Sequence, residues 1–431
     1  VISIRQQMAY GTAELGTSAA ELMVRLSLLI FYTEKVGLRP DLAGYAIALG
    51  VFWDAVTDPL MGWISDHTRG RWGKRKPYMV VGALTLAFAL WALFSPPALE
   101  GQWAKAGFLL GSYLVFNTAM TLIAVPHAAL GGDITMGSSS RASVFAWRLL
   151  FGNLGVMLAA LLPAFWADDA SVAAGVAAAI LGSALVTVVA TRTGNADTRT
   201  GTRSWADLFR GLLIPWRDPT FRPLFAGYFV ATCGLAINSS LALFYYRYFL
   251  RFDETQTRAV LGLFLVVFSL SLPLWVMIAR RFGAKWPAVV GVAYVGAQSV
   301  LVYPIFPAGV LSGPLIAAFA GGLFVGAVVL LDVALADLAD ARDGGEDSAR
   351  FGVYFGFWKM GSKIARAIAL GLTGNLLLWI GFDASVPVTQ EVATRLAWLF
   401  GPGVGLFLLA GAGIVAWGWR EKPQGGSVLS S

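Results

Sequence analysis

Runs of about twenty apolar residues recur from one end of this chain to the other, each long enough to cross the hydrocarbon core of a bilayer as a helix. Read with that window, the sequence predicts spans over residues 8–33, 42–65, 78–95, 105–129, 142–166, 171–190, 223–250, 257–279, 287–306, 312–336, 350–380 and 396–418. The expected fold class is an all-α membrane protein: twelve transmembrane helices in two six-helix bundles, with both termini on the cytoplasmic side. Composition agrees. Of the 431 residues 57% are hydrophobic and 13% charged, whereas a soluble protein carries about 25% charge. A lipid-facing β-barrel would show alternating segments of about ten residues, and the apolar runs here are long and unalternating. Sixteen tryptophans and forty-nine glycines suit interfacial anchoring and close helix packing in lipid.

The longest polar connection divides the chain. Residues 1–190 are expected to form an N-terminal bundle, 191–222 a cytoplasmic connecting loop, 223–420 a C-terminal bundle and 421–431 a cytoplasmic tail. With the ends inside, twenty loop lysines and arginines fall on the cytoplasmic face and six on the other, the bias that sets orientation. That distribution accounts for the formal net charge of +7 without a nucleic-acid partner. Cys233 is the only cysteine, and His67 and His127 are the only histidines, so an intrachain disulfide or a Cys-based metal site is excluded. The chain starts at Val1, so a few residues are expected to precede it; the apolar stretch from Met8 to Tyr32 is too long for a cleavable signal. The expected location is the inner membrane, multi-pass.

The two halves are weakly alike. Pro59-Leu-Met-Gly-Trp closes the second span and Pro273-Leu-Trp-Val-Met the eighth. Repeated halves describe many secondary transporters, whose site lies between them near mid-membrane. With the prolines aligned, Asp58 faces Leu272 and Asp54 faces Phe268: acid was placed in the first half only. Asp54 and Asp58 share one helix face. Two like charges there repel unless a cation or shared proton intervenes. With the Thr57 hydroxyl they make a hard-oxygen site suited to Na⁺, Li⁺ or H⁺; the alternative is a structural pairing with Lys or Arg from another helix.

Other charges within the spans cost about 2.5–3.5 kcal/mol each at a helix centre, and such residues normally face a cavity. Glu21 and Arg25 are spaced for an intrahelical ion pair or for substrate. Lys359 is too deep to reach a membrane surface easily and could pair with an acid across the cavity, competing with the cation. Lys363 and Arg366 follow it and suit either a structural or a functional role. Arg148 faces headgroups or the pocket. His127 is a packing residue or a proton relay, Arg247 reads as interfacial, and Asp332 has no evident partner.

These motifs resemble a known family. Asp54-x-x-x-Asp58-Pro-x-x-Gly-x-x-x-Asp66 followed by Arg71-Trp-Gly-Lys-x-Lys-Pro77 is similar to the second span and following loop of the glycoside–pentoside–hexuronide:cation symporters of the major facilitator superfamily. Tyr10-Gly11, Phe31-Tyr-Thr-Glu34, Val125-Pro126, Ala336-Asp-Leu-Ala-Asp340 and Lys359-Met-Gly-Ser362 agree with it. The resemblance implies a coupling cation, Na⁺ or H⁺, held by Asp54, Asp58, Thr57 and Thr121, and no other cofactor. It implies that Lys359 is the span-eleven lysine and Arg148 the span-five arginine. The family's sugar-binding acids fall at Ser18 and Ala124, its stacking tryptophan at Ala128 and a span-one tyrosine at Arg25. The candidate substrate residues are Glu21, Arg25, Arg148 and Lys359, and the three bases among them favour an anionic or zwitterionic solute: a hexuronide, another acidic glycoside, or the phosphate of a lysolipid, since vertebrate lysolipid symporters also resemble this family.

The expected mechanism is alternating access between the halves, for which a monomer suffices. Asp66 with Arg69, Arg71, Lys74 and Arg75, and Asp133, Asp337 and Asp340 at other helix ends, are candidates for a cytoplasmic ion-pair latch. An antiporter, a facilitator or a lipid-moving protein would use the same fold. No nucleophile motif, metal cluster or phosphate loop points to an enzyme.

Overall fold

The computed structural model describes residues 3–68, 73–134, 141–166, 168–191, 215–343 and 348–419, and every regular element among them is helical. Helix α1 (Ile4–Gly11) is capped by Ser3, whose side chain accepts from the Gln6 amide. It runs into α2 (Ala13–Ile30) across Thr12, whose hydroxyl lies 3.0 Å from the Thr187 hydroxyl. There follow α3 (Pro40–His67), α4 (Lys76–Leu93), α5 (Gln102–Ile134), α6 (Arg141–Leu161) and α7 (Asp169–Ala190). The later helices are α8 (Phe221–Phe244), α9 (Glu254–Phe282), α10 (Lys285–Val302), α11 (Ser312–Val325), α12 (Val329–Asp343), α13 (Ser348–Trp379), α14 (Gln390–Trp398) and α15 (Val404–Gly418).

Ten helical stretches among the described residues are long and apolar enough to cross a membrane. The sequence reading has twelve. The two it adds are α3 and α13, whose charged residues lower their apolar character. At 1.5 Å per residue, α3 with 28 residues and α13 with 32 are about 42 and 48 Å long, more than a bilayer core of about 30 Å requires.

Helices α1 to α7 pack on one another, α8 to α15 do likewise, and the principal contacts between the sets run along α3–α13, α2–α8 and α6–α9. Small residues allow the closest crossing. A Cβ at Gly44 would lie 2.9 Å from the Leu370 carbonyl, and one at Gly374 would meet the Pro40 carbonyl. Two of the three π-helical turns among the described residues, Phe31–Lys35 after α2 and Tyr245–Phe249 after α8, occupy equivalent places in the two sets. Turns of this kind often mark functional sites. Here they turn Glu34 and Arg247 toward each other as an ion pair.

Candidate functional site: a charged seam between two helix sets

Asp54 and Asp58, one turn apart on α3, both face Thr121 of α5. The Thr121 hydroxyl lies 2.8 Å from Asp54 Oδ1 and 2.9 Å from Asp58 Oδ1. It has one proton and so donates to one carboxylate at a time. The Thr57 hydroxyl stands 3.3 Å from that of Thr121. Pro59, inside α3, has no N–H to give the Ala55 carbonyl, its helical acceptor. Four side chains predicted to act together are therefore brought together, with a carbonyl between the acids left without its usual donor.

The counter-charge comes from α13. Lys363 Nζ is 2.7 Å from Asp54 Oδ2 and also pairs with Asp58 Oδ2. The sequence reading offered Lys359 for a pairing with an acid and left Lys363 open; it is Lys363 that meets the two carboxylates. The two lysines are one turn apart on one face, and only the packed depth of α13 against α3 decides which of them meets the acids. Lys359 is exposed. Among the described residues no hydrogen bond or ion pair holds its ammonium, although Asp58, Asp332 and Arg148 act on it electrostatically.

Three further clusters flank this one. Glu21 Oε1 accepts from Arg25 at 2.6 Å, the intrahelical pair, and from Arg366 of α13 at 2.9 Å. Arg148 grips Glu14 with both ends of its guanidinium, at 2.7 and 3.2 Å, so it belongs to an ion pair and not to the headgroups. His127, buried, donates from Nε2 to the Tyr10 carbonyl at 2.8 Å and turns Nδ1 toward the same carboxylate at 3.3 Å. Asp332 of α12 accepts from the Trp358 indole N–H at 2.7 Å. Sequence reasoning counts Glu14 among the acids inside the spans but assigns no role to it, to Lys363 or to Arg366; their signal was charge within an apolar run, without the partner.

At the end of the seam that carries the two π turns, the sets are clamped. The Glu34–Arg247 pair crosses between them, so Arg247 is a bridge between the sets and not merely interfacial. Tyr45 donates to Asn375 at 2.8 Å, beside the Gly44 and Gly374 crossings. Next to the clamp, a groove of about 200 Å³ runs between α2, α6, α8 and α9. Leu22, Leu26, Ile30, Leu243, Leu261 and Leu265 wall it, and Glu34, Lys35, Arg247 and Arg258 are at its rim.

The latch residues are described only in part. Arg69 and Arg71 lie outside the described residues, as do the side chains of Asp66, Asp133 and Asp340. Arg75 is buried and donates to Ser65 Oγ at 2.6 Å, and Asp337 is exposed on α12.

A membrane-embedded helical fold with charge concentrated between two helix sets defines a class, the secondary transporters. Its solved relatives in shape include the nucleoside transporter NupG, with a TM-score of 0.71 over 96% of this chain and 100% of that one at 12% identity, a likeness of fold alone. The chain belongs to the MFS/sugar transport protein family, whose model matches residues 9–417, and thus to the glycoside–pentoside–hexuronide:cation symporter group of the major facilitator superfamily. It is 30% identical over 162 residues to the inner membrane symporter YicJ of Escherichia coli (strain K12), a match that covers 38% of this chain and spans about a third, 35%, of that relative. Longer matches are weaker. The sodium-dependent lysophosphatidylcholine symporter 1 of Gallus gallus is 24% identical over 461 residues, 95% of this chain and 85% of that one. The isoprimeverose transporter of Lactiplantibacillus pentosus is 21% identical over 428 residues, 94% and 87%.

Proposed function

We propose that this protein is a cation-coupled symporter of the inner membrane that moves an acidic glycoside by alternating access. It has twelve crossings, an N-terminal and a C-terminal six-helix bundle joined by a cytoplasmic loop, and both ends in the cytoplasm. The observation that carries the reading is the Asp54–Asp58–Thr121 cluster, closed from the opposite helix set by Lys363. Two carboxylates and two hydroxyls make a hard-oxygen site for Na⁺ or H⁺, with no soft ligand to select another metal. In the state described here the lysine ammonium takes the cation's place. A bound Na⁺ or a proton neutralises the acids, releases Lys363 and so alters the α3–α13 seam along which the bundles rock. Coupling of this kind is reciprocal: substrate that favours the released seam tightens cation binding by the same factor.

With the ends cytoplasmic, the clamp at Glu34–Arg247 and Tyr45–Asn375 closes the periplasmic side, and Arg25, Arg148 and Lys359 supply the cationic groups that recognise a carboxylate. The reading is tested by the thermal stability of the purified protein in Na⁺ and in K⁺ with neutral sugars, hexuronides and lysolipids, because ligands of the native state raise its apparent stability. Stabilisation by hexuronides only in Na⁺ or at low pH, lost in Asp58→Asn, supports it; an Asp58→Asn protein that still accumulates solute against its gradient refutes the coupling role.

One observation favours a second reading. The groove beside the clamp is apolar within and ionic at its rim, which suits an amphiphile. Similarity to a lysophosphatidylcholine symporter along most of the chain points the same way. Lysolipids that outcompete every glycoside in the same assay would establish this alternative.

A further inference from the structure

We propose that Asp332 is a substrate-binding carboxylate that accepts hydrogen bonds from the hydroxyl groups of the transported glycoside, a role the second helix set supplies where the first has Ser18 and Ala124. The inference rests on the symporter reading and names the groups that meet the sugar.

Asp332 is an exposed acid in a helix that is otherwise apolar through its first two turns, Val329-Leu-Leu-Asp-Val-Ala-Leu-Ala336. Acid in such a place normally faces a water-filled cavity. Its hydrogen-bond partner Trp358 immediately precedes Lys359 on α13, the helix that carries Lys363 to the cation cluster, and Asp332, Asp58 and Arg148 all act electrostatically on Lys359. The helix is interrupted just before it. Helix α11 ends at Val325, a 3₁₀ turn occupies Gly326–Val328, and α12 resumes at Val329. Interrupted helices near mid-membrane are where carriers of this kind commonly build substrate sites.

The carboxylate is also held in place. Trp358 donates its indole N–H to Asp332 Oδ1 at 2.7 Å. The indole is buried, and its ring stacks on Tyr228 with centroids 3.9 Å apart and planes 15° from parallel. A rigid donor that occupies one oxygen fixes the direction of the other, the arrangement a recognition carboxylate needs. The surroundings select the ligand. The hydroxyls of Thr232 and Ser362 lie near that of Tyr228, so this wall carries hydrogen-bonding groups. A quaternary ammonium would instead need open aromatic faces, and the Trp358 face is covered by Tyr228. The site therefore suits hydroxyl donors, with Lys359 and Arg148 placed for the solute's anionic group.

The test uses the purified full chain in Na⁺ buffer and titrates methyl β-D-glucuronide and its analogues lacking one ring hydroxyl each, by calorimetry. A hydrogen bond to a charged acceptor corresponds to about a 10- to 100-fold difference in affinity. One deoxy analogue binds wild type that much more weakly than the parent glucuronide. Asp332→Asn, which keeps an oxygen for Trp358, weakens the parent by a similar factor and abolishes the distinction between parent and that analogue. Asp332→Glu, which displaces the carboxylate by one methylene, blunts the same distinction. Unchanged parent-to-analogue ratios in both variants overturn the role of Asp332 and leave the symporter reading standing. A wild type that binds no glucuronide, or binds lysophosphatidylcholine in an Asp332-dependent way, overturns the inference together with the glycoside reading.

Discussion

Lys363→Gln isolates the charge balance on which the cation site depends. In the native seam the ammonium sits 2.7 Å from Asp54 and also touches Asp58. The variant leaves two carboxylates one turn apart with the single Thr121 proton between them. Removing one member of a buried ion pair costs about 3–5 kcal/mol. Here the Lys363 side chain is 18% exposed, Asp54 14% and Asp58 34%, so water screens part of the loss, and we expect the low end, about 3 kcal/mol, in buffer without Na⁺. The cation response changes in the opposite direction. If the ammonium and the coupling cation compete for the same oxygens, each 1.4 kcal/mol of competition removed tightens cation binding about tenfold, and Lys363→Gln should bind Na⁺ about 10- to 100-fold more tightly than wild type. A Na⁺ titration of thermal unfolding at constant ionic strength reads both effects: a lower melting temperature without Na⁺ and a half-maximal rise at much lower Na⁺. If the proton is the coupling ion, acidification restores the variant in place of Na⁺. Unfolding curves that superimpose on wild type at every Na⁺ concentration and pH would refute the competition, as would a weaker response to both.

Glu34→Gln breaks the ion pair between the π turns; with Arg247 46% exposed the pair is worth at most about 1 kcal/mol. In a Cys233→Ser background, labelling of Ser27→Cys in the groove by an impermeant maleimide should rise about two- to fivefold, and an unchanged rate argues against a clamp. Gly374→Val places side-chain atoms against the Pro40 carbonyl; the seam then fails to close, transport falls to background, and Na⁺-dependent stabilisation persists. Arg148→Gln leaves Glu14 facing only His127 and should destabilise by about 2–3 kcal/mol. The double variant Glu14→Gln/Arg148→Gln should recover most of that in chemical denaturation, and strict additivity of the two changes would show that the pair does not act as a unit.

The residues differ in how legible they were. Asp54, Asp58 and Thr57 could be read together because a helix of 3.6 residues per turn fixes i, i+4 neighbours before any packing is known; the same rule paired Glu21 with Arg25. Thr121 came in only through family resemblance, since it lies on another helix. The polar partners of Asp332 and Glu14 were out of reach for the same reason: Trp358 and Arg148 are 26 and 134 residues away in sequence.

The sequence by itself determined that the chain is a bundle of membrane helices, because lipid offers no hydrogen bonds and long apolar runs must satisfy their own backbone as helices. It also placed a pair of acids where their charge demands a counter-ion. Tertiary structure decided which counter-ion that is. Lys359, Lys363 and Arg366 are spaced to lie near one face of α13 and are equivalent to any local rule. Only the depth at which α13 packs along α3, set by the close approach of Gly44 to Leu370 and of Gly374 to Pro40, brings Lys363 to the carboxylates, Arg366 to Glu21, and leaves Lys359 exposed. Charge within a span is a local property of the chain; the partner that neutralises it depends on register between helices, which no single helix contains.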